Sequence, residues 1–147
     1  MKMGLLRLLQ VRRLLEERAE LDLRRRTADL RRLETEAERQ RRLATEARND
    51  ALRSVPAPEA TDSWVALADA EIFLWRKRRL AEAARRIGEE VAVLREHRMT
   101  RRMESQQVEA LVTESQRAQK QEQIRREQQH VDDWFQSRPS SESRRLE

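Results

Sequence analysis

Read in steps of three and four from Leu8, the chain gives Leu8, Val11, Leu15, Ala19, Leu23, Arg26, Leu30, Leu33, Ala37, Gln40, Ala44, Ala47, Ala51 and Val55, and twelve of these fourteen are apolar. Such spacing places one apolar stripe along a helix. From Leu23 the steps alternate four and three in heptad fashion. Val11 to Leu23 is instead crossed in three steps of four, a stutter that relaxes a left-handed supercoil. No Gly or Pro interrupts residues 5–55, so the pattern predicts one helix over 5–55. It must end before Pro56, because proline lacks the amide and disfavours helix in the residue before it. Pro56 and Pro58 open a turn over 56–63 that closes on three candidate N-caps, Thr61, Asp62 and Ser63. From Trp64 no proline occurs until Pro139. A second stripe of Phe73, Leu80, Ala84, Ile87, Val91, Leu94, Val108 and Val112 predicts a helix over 64–136, with Gly88 its weak internal position.

If the helices fold back antiparallel, residue i lies opposite about 116 − i, and apolar positions then meet. Leu5 and Leu8 face Leu111 and Val108, Leu23 faces Leu94, Leu30 faces Ile87, and Leu52 faces Trp64 in a cap over the turn. Leu15 and Ala19 meet Arg98, Arg101 and Arg102, so the seam is expected to pack poorly there, with Met99 and Met103 as flexible filling. The same register leaves everything beyond about residue 112 without a facing partner. The expected fold is therefore all-α: a long two-helix antiparallel coiled-coil hairpin over 1–136 with the second helix overhanging, followed by a disordered tail over 137–147.

Composition agrees with that architecture. Ala, Glu, Lys, Leu and Arg make up 87 of 147 residues, above the roughly 50% that marks a coiled coil or long helix. Leu, Ile, Val and Phe number 31, enough for a narrow seam and too few for a thick core. The longest apolar runs, Trp64 to Ala68 and Ile72 to Trp75, fall far short of the roughly 20 residues a membrane span needs. Arg7, Arg12 and Arg13 break up the leucines of the first turns, so no signal peptide is expected. The absence of cysteine excludes a disulfide framework and suits a reducing cytosol.

Net charge is +5, and acidic residues are interleaved among most of the arginine doublets. Asp22, Glu38, Glu82 and Glu122 each precede an arginine by four positions, as helix-supporting ion pairs do. A nucleic-acid reader would concentrate its cations and add aromatics for stacking. No nucleic acid is expected as a partner; the main alternative is a nucleic-acid or polyanion-binding coiled coil, with a generic structural coiled-coil adaptor as a further one. Glycines only at 4 and 88 exclude a phosphate loop. His97 and His130, the latter near Asp132 and Asp133, make too sparse a set for a metal site, and a two-helix hairpin has no concave interior in which to perturb a pKa. Neither catalysis nor a cofactor is expected. Four consecutive large apolar residues, Ile72 to Trp75, cannot all reach one seam. One or two must face solvent, and Trp134 with Phe135 lies on the overhang.

The start LLRLLQVRRLLEERAELDLRRR, the entry TDSWVALADAEIFLWRKRRLA and the ending RREQQHVDDWFQSR together resemble the stalk proteins of type III export machines, the FliJ family of flagella and its YscO relatives in injectisomes. The resemblance covers nearly the whole chain. It implies a non-enzymatic cytoplasmic stalk, peripheral to the inner-membrane export apparatus, similar to the central stalk of rotary ATPases and monomeric when alone. In that family the end carrying both termini enters the pore of a hexameric export ATPase, while the hairpin reaches toward the cytoplasmic domain of the export-gate membrane protein; some members also handle export chaperones. Carried over to this chain, the ATPase-facing set is Leu5, Leu8, Arg12 and Arg13 with Arg125, Arg126, Val131, Trp134 and Phe135. The gate-facing set is Phe73, Leu74, Lys77 and Ala81, with Lys77 standing where the flagellar pattern has a small residue.

Overall fold

Two helices account for the structure, a computed structural model that describes residues 2–53 and 60–137: α1 (Lys2–Arg53) and α2 (Ala60–Gln136). They pack against each other, and among the described residues there is no strand. The expected all-α two-helix fold is therefore the observed one. The tail from residue 138 and the heart of the turn lie outside the described residues.

Helix α1 starts three residues before the predicted boundary, since Gly4 accepts the helical backbone without a positive φ. Helix α2 starts at Ala60, directly after the proline-containing stretch, so Asp62 and Ser63 sit inside its first turn and are not N-caps. Asp62 still places an acid where the helix dipole favours one. Ser63 serves the other helix: its hydroxyl donates to the Ala51 carbonyl at 3.4 Å, supplying one of the partners that the last turn of α1 lacks internally. At the far end of α2, Ser137 donates from its amide to the Asp133 carbonyl and from its hydroxyl to the Trp134 carbonyl.

Contacts group the residues into two compact units, Leu14–Arg102 and Met1–Arg13 with Met103–Glu147, where the sequence pattern suggests one continuous hairpin. In the first unit the buried positions are small: Ala19, Ala44, Ala51 and Ala70 are almost fully covered, and Val91 is the largest side chain with essentially no exposure. Small residues let two backbones approach closely, which compensates for the modest area each one buries. Leu23, Leu30, Leu33, Phe73, Leu80, Ile87 and Leu94 are half-buried around them. The pairs Ala51 with Ser63, Arg48 with Glu71, Arg26 with Glu90 and Glu20 with Arg98 follow the expected antiparallel register within a few residues.

Two local expectations fail in this unit, the filling by Met99 and the cap of Leu52 on Trp64. At the stretch expected to pack poorly, Ala19 is 3% exposed, and half-buried Arg98 reaches Glu20 Oε2 with its Nη2 at 3.7 Å while its Nε is buried without a hydrogen-bond partner among the described residues. An alanine leaves room for the aliphatic stem of an arginine whose charged head reaches a carboxylate, so no filler is needed and Met99 faces solvent. Leu52 and Trp64 do not cap the turn, being 71% and 73% exposed, because Ala51 rather than Leu52 takes the seam position. Gln40, a polar interruption of the stripe, is buried and holds Glu36 through its amide at 2.8 Å.

In the second unit Leu9, Val108 and Val112 form a small apolar cluster with Leu5 packed against it. The expected pairing used Leu8 and Leu111, yet both are exposed, as is Met103. The doublets Leu5-Leu6, Leu8-Leu9 and Leu14-Leu15 offer two adjacent apolar lines. The line through Leu5 and Leu9 prevails, and it carries Arg12 to Glu104 at 2.6 Å. Ser105 is buried beside this cluster in sequence, and from Gln116 to Ser137 every described residue is exposed.

Candidate interaction surfaces

No helix among the described residues is long and apolar enough to cross a membrane, and they contain no cluster of three or more His, Cys, Asp or Glu able to hold a metal ion. His97 and His130 are both exposed. A groove of about 790 Å³ runs along the two helices of the Leu14–Arg102 unit and is lined by Asp22, Arg25, Arg26, Asp29, Glu90 and Val93 among others. Arg26 is engaged there by Glu90 at 3.0 Å and Asp29 at 3.6 Å, not by Asp22 four positions before it. The other three anticipated i to i+4 pairs do form: Glu38 with Arg42, Glu82 with Arg86, and Glu122 with Arg126. Elsewhere in the lining Arg86 pairs with Glu82 and Glu89 with Arg85, as is usual on a solvated helix flank.

The ATPase-facing set divides by environment. Leu5 packs on the Leu9, Val108 and Val112 cluster. Arg12 is held by Glu104, and Arg13 pairs with Glu109 at 3.0 Å, so both arginines brace one helix to the other. Only Leu8 of the N-terminal group presents an apolar face to solvent, at 41% exposure. The C-terminal group is exposed throughout. Trp134 and Phe135 meet edge to face with centroids 5.0 Å apart at 77°, Val131 lies one turn before them, and Arg126 is paired to Glu122 at 3.0 Å beside Arg125.

At about 100° per residue, Ile124, Val131 and Phe135 fall on the side of α2 roughly opposite Val108 and Ser115. The seam line continues instead through Gln119, Glu122 and Arg126, all polar. The apolar face of the exposed segment is thus separate from the face that α2 gives to α1.

The gate-facing set is likewise split. Phe73 and Leu74 are half-buried, with Phe73 on the stripe that packs toward α1. Lys77 and Ala81 line a second groove together with Leu30, Ala37 and Glu38. The residues that the Ile72 to Trp75 run turns outward are Ile72 and Trp75, and the Arg79 guanidinium lies over the Trp75 ring at 5.3 Å. Trp64, Val65 and Ile72 belong to an exposed stripe that the sequence reading overlooked. The signal was available in the spacing of Trp64, Ala68, Ile72 and Trp75, but the assumption that Trp64 caps the turn concealed it.

Comparison with protein-family models, with curated proteins and with solved structures finds no match to this chain.

Proposed function

We propose that this chain is a non-enzymatic stalk component of a type III protein export apparatus, inserting into a hexameric export ATPase, promoting its assembly and turnover, and linking it to the cytoplasmic domain of the export gate. The observation that carries this reading is the exposed segment from Gln116 to Gln136, where α2 continues past its packed turns and carries Val131 and Phe135 on a face that the fold does not use, with exposed Trp134 edge to face with Phe135. An isolated helix of this length is marginal in water. Aromatic residues there gain their burial by docking, and aromatics with arginine nearby are the side chains that most often dominate binding energy.

On this proposal the protein acts at the cytoplasmic face of the inner membrane. Its ATPase contact is made by Leu5, Leu8, Arg12 and Arg13 with Arg125, Arg126, Val131, Trp134 and Phe135; Leu5 also packs on the Leu9 cluster, and Arg12 and Arg13 also pair with Glu104 and Glu109. The gate contact is made around Lys77 and Ala81, with Phe73 and Leu74 as support from within the packing, and export chaperones are further candidate partners. Interleaved charge along the helix flanks allows close approach to a ring pore without locking to one subunit, and unequal contact around the ring biases its ATP cycle.

The test is to add the intact protein to its cognate export ATPase and follow hexamer formation and ATP turnover. Both are expected to rise, and charge reversal at Arg125 and Arg126 is expected to weaken both. No effect of the intact protein on either quantity overturns the reading.

A further inference from the structure

One face of α2 is apolar and exposed where the fold makes no use of it. Ala70, 1% exposed, marks the side turned to α1. At about 100° per residue, Trp64, Val65, Ala68, Ile72, Trp75 and Arg79 all fall within about 60° of the opposite line. All six are exposed. Single exposed apolar residues are ordinary, whereas a contiguous stripe marks a contact surface. We propose that a second copy of this chain covers the stripe, with the two α2 helices antiparallel about a two-fold axis near residue 70. This goes beyond the stalk reading, does not depend on it, and replaces the monomer that the resemblance implies.

Self-complementarity points to the occupant. In a two-fold antiparallel pairing, each line of residues along the helix meets the same line of the copy in reverse order. Trp64 and Trp75 are three turns apart on one line, so each tryptophan meets the other type across the axis. Ala68 meets Ile72, a small residue against a large one. On the neighbouring line, Asp62, Asp69 and Arg76 lie within about 40° of each other, so Arg76 of one copy falls between Asp62 and Asp69 of the second. Apolar groups meet apolar groups and a cation meets carboxylates.

Sedimentation equilibrium on the full chain, with its 17.6 kDa mass, tests the proposal. A concentration-dependent dimer of about twice that mass is expected at micromolar protein. Arg76→Asp should weaken association by roughly tenfold or more, by setting three carboxylates together. Adding Asp62→Arg and Asp69→Arg to that variant should restore most of the loss, which only a homotypic contact does. Trp75→Ala should weaken association while helicity by circular dichroism stays unchanged. A chain that remains monomeric at 100-fold higher concentration overturns the proposal and leaves the stripe to a different protein. A dimer indifferent to both Arg76→Asp and Trp75→Ala overturns it as well, since its contact then lies elsewhere.

Discussion

The packed turns of the Leu14–Arg102 unit and the exposed turns from Gln116 onward use the same backbone and similar charge density, yet differ in what their apolar residues do. In the first, coverage falls on alanines and Val91, so stability depends on close approach of two helices. In the second, Ile124, Val131, Trp134 and Phe135 are larger and all exposed. Large apolar residues occur in both regions, half-buried at Leu23, Leu30, Phe73, Leu80 and Ile87 in the first and exposed in the second, while the apolar positions covered most completely in the first are small. The contrast teaches that hydrophobicity alone does not locate the core of a two-helix protein. The closest approach lies where side chains are small enough for backbones to meet, and the exposed aromatics, Trp64, Trp75, Trp134 and Phe135, mark surfaces available to other molecules.

The sharpest way to break that contrast is to place the same charge in each region. Val91→Asp buries a carboxylate with no partner, an effect of about 3–5 kcal/mol or more, enough to unfold a marginal two-helix protein outright. Val131→Asp changes an exposed position and should alter stability by no more than about 0.5 kcal/mol. Thermal and urea unfolding followed by circular dichroism measures both. If the two variants melt alike, the packed and exposed regions do not differ in the way described.

The helical pattern, the antiparallel register and the exposed end of α2 were all legible in the sequence, because each rests on periodicity and proline position over many residues. The phase of the seam at the N-terminus was not, since the leucine doublets satisfy two adjacent lines equally and the choice is made by Arg12 meeting Glu104 across the helices. Size alone suggests Trp64 as a cap, whereas Ala51 takes the seam position, Ser63 reaches its carbonyl, and the indole is exposed. Leu5, Arg12 and Arg13 were placed on a binding surface by resemblance, and their packing partners on α2 become visible only when the two helices are seen together. The stripe through Ile72 and Trp75 was half-legible, as four bulky residues in succession required that some face outward without saying which.

A milder comparison uses the two glycines, each of which has nothing within 4 Å of the place a Cβ would occupy. Gly88 lies deep inside α2, so Gly88→Ala should stabilise by about 1 kcal/mol through helix propensity alone. Gly4 lies in the first turn of α1, where frayed backbone gives little return, and Gly4→Ala should contribute only a few tenths of a kcal/mol. Chemical denaturation resolves the difference. Equal gains would mean that the first turn of α1 is as firmly held as the middle of α2.

The smallest expected effect concerns a carboxylate that lines the same groove as Lys77 and Ala81. Glu38 accepts two hydrogen bonds from Arg41, from Nε and from Nη2, each at 2.9 Å, and a longer one from Arg42 at 3.5 Å. The Arg41 hydrogen bonds hold the Glu38 carboxyl below the ordinary glutamate range, and the same contact raises Arg41. A carboxylate whose folded pKa is depressed adds stability that is fully present above its unfolded pKa and is lost as pH falls through the folded value. The contribution of this exposed pair is therefore expected to fade only on the acidic side of the normal glutamate titration. In the exposed segment Glu122 meets Arg126 through a single 3.0 Å contact, without the two-point fork. Titration of the side-chain carboxyl resonances should show Glu38 ionising at lower pH in the intact protein than in Arg41→Ala, where its pKa returns toward the ordinary range. If Arg41→Ala leaves the Glu38 titration unmoved, the fork is not what holds that carboxylate, and the groove beside Lys77 owes its charge to a different contact.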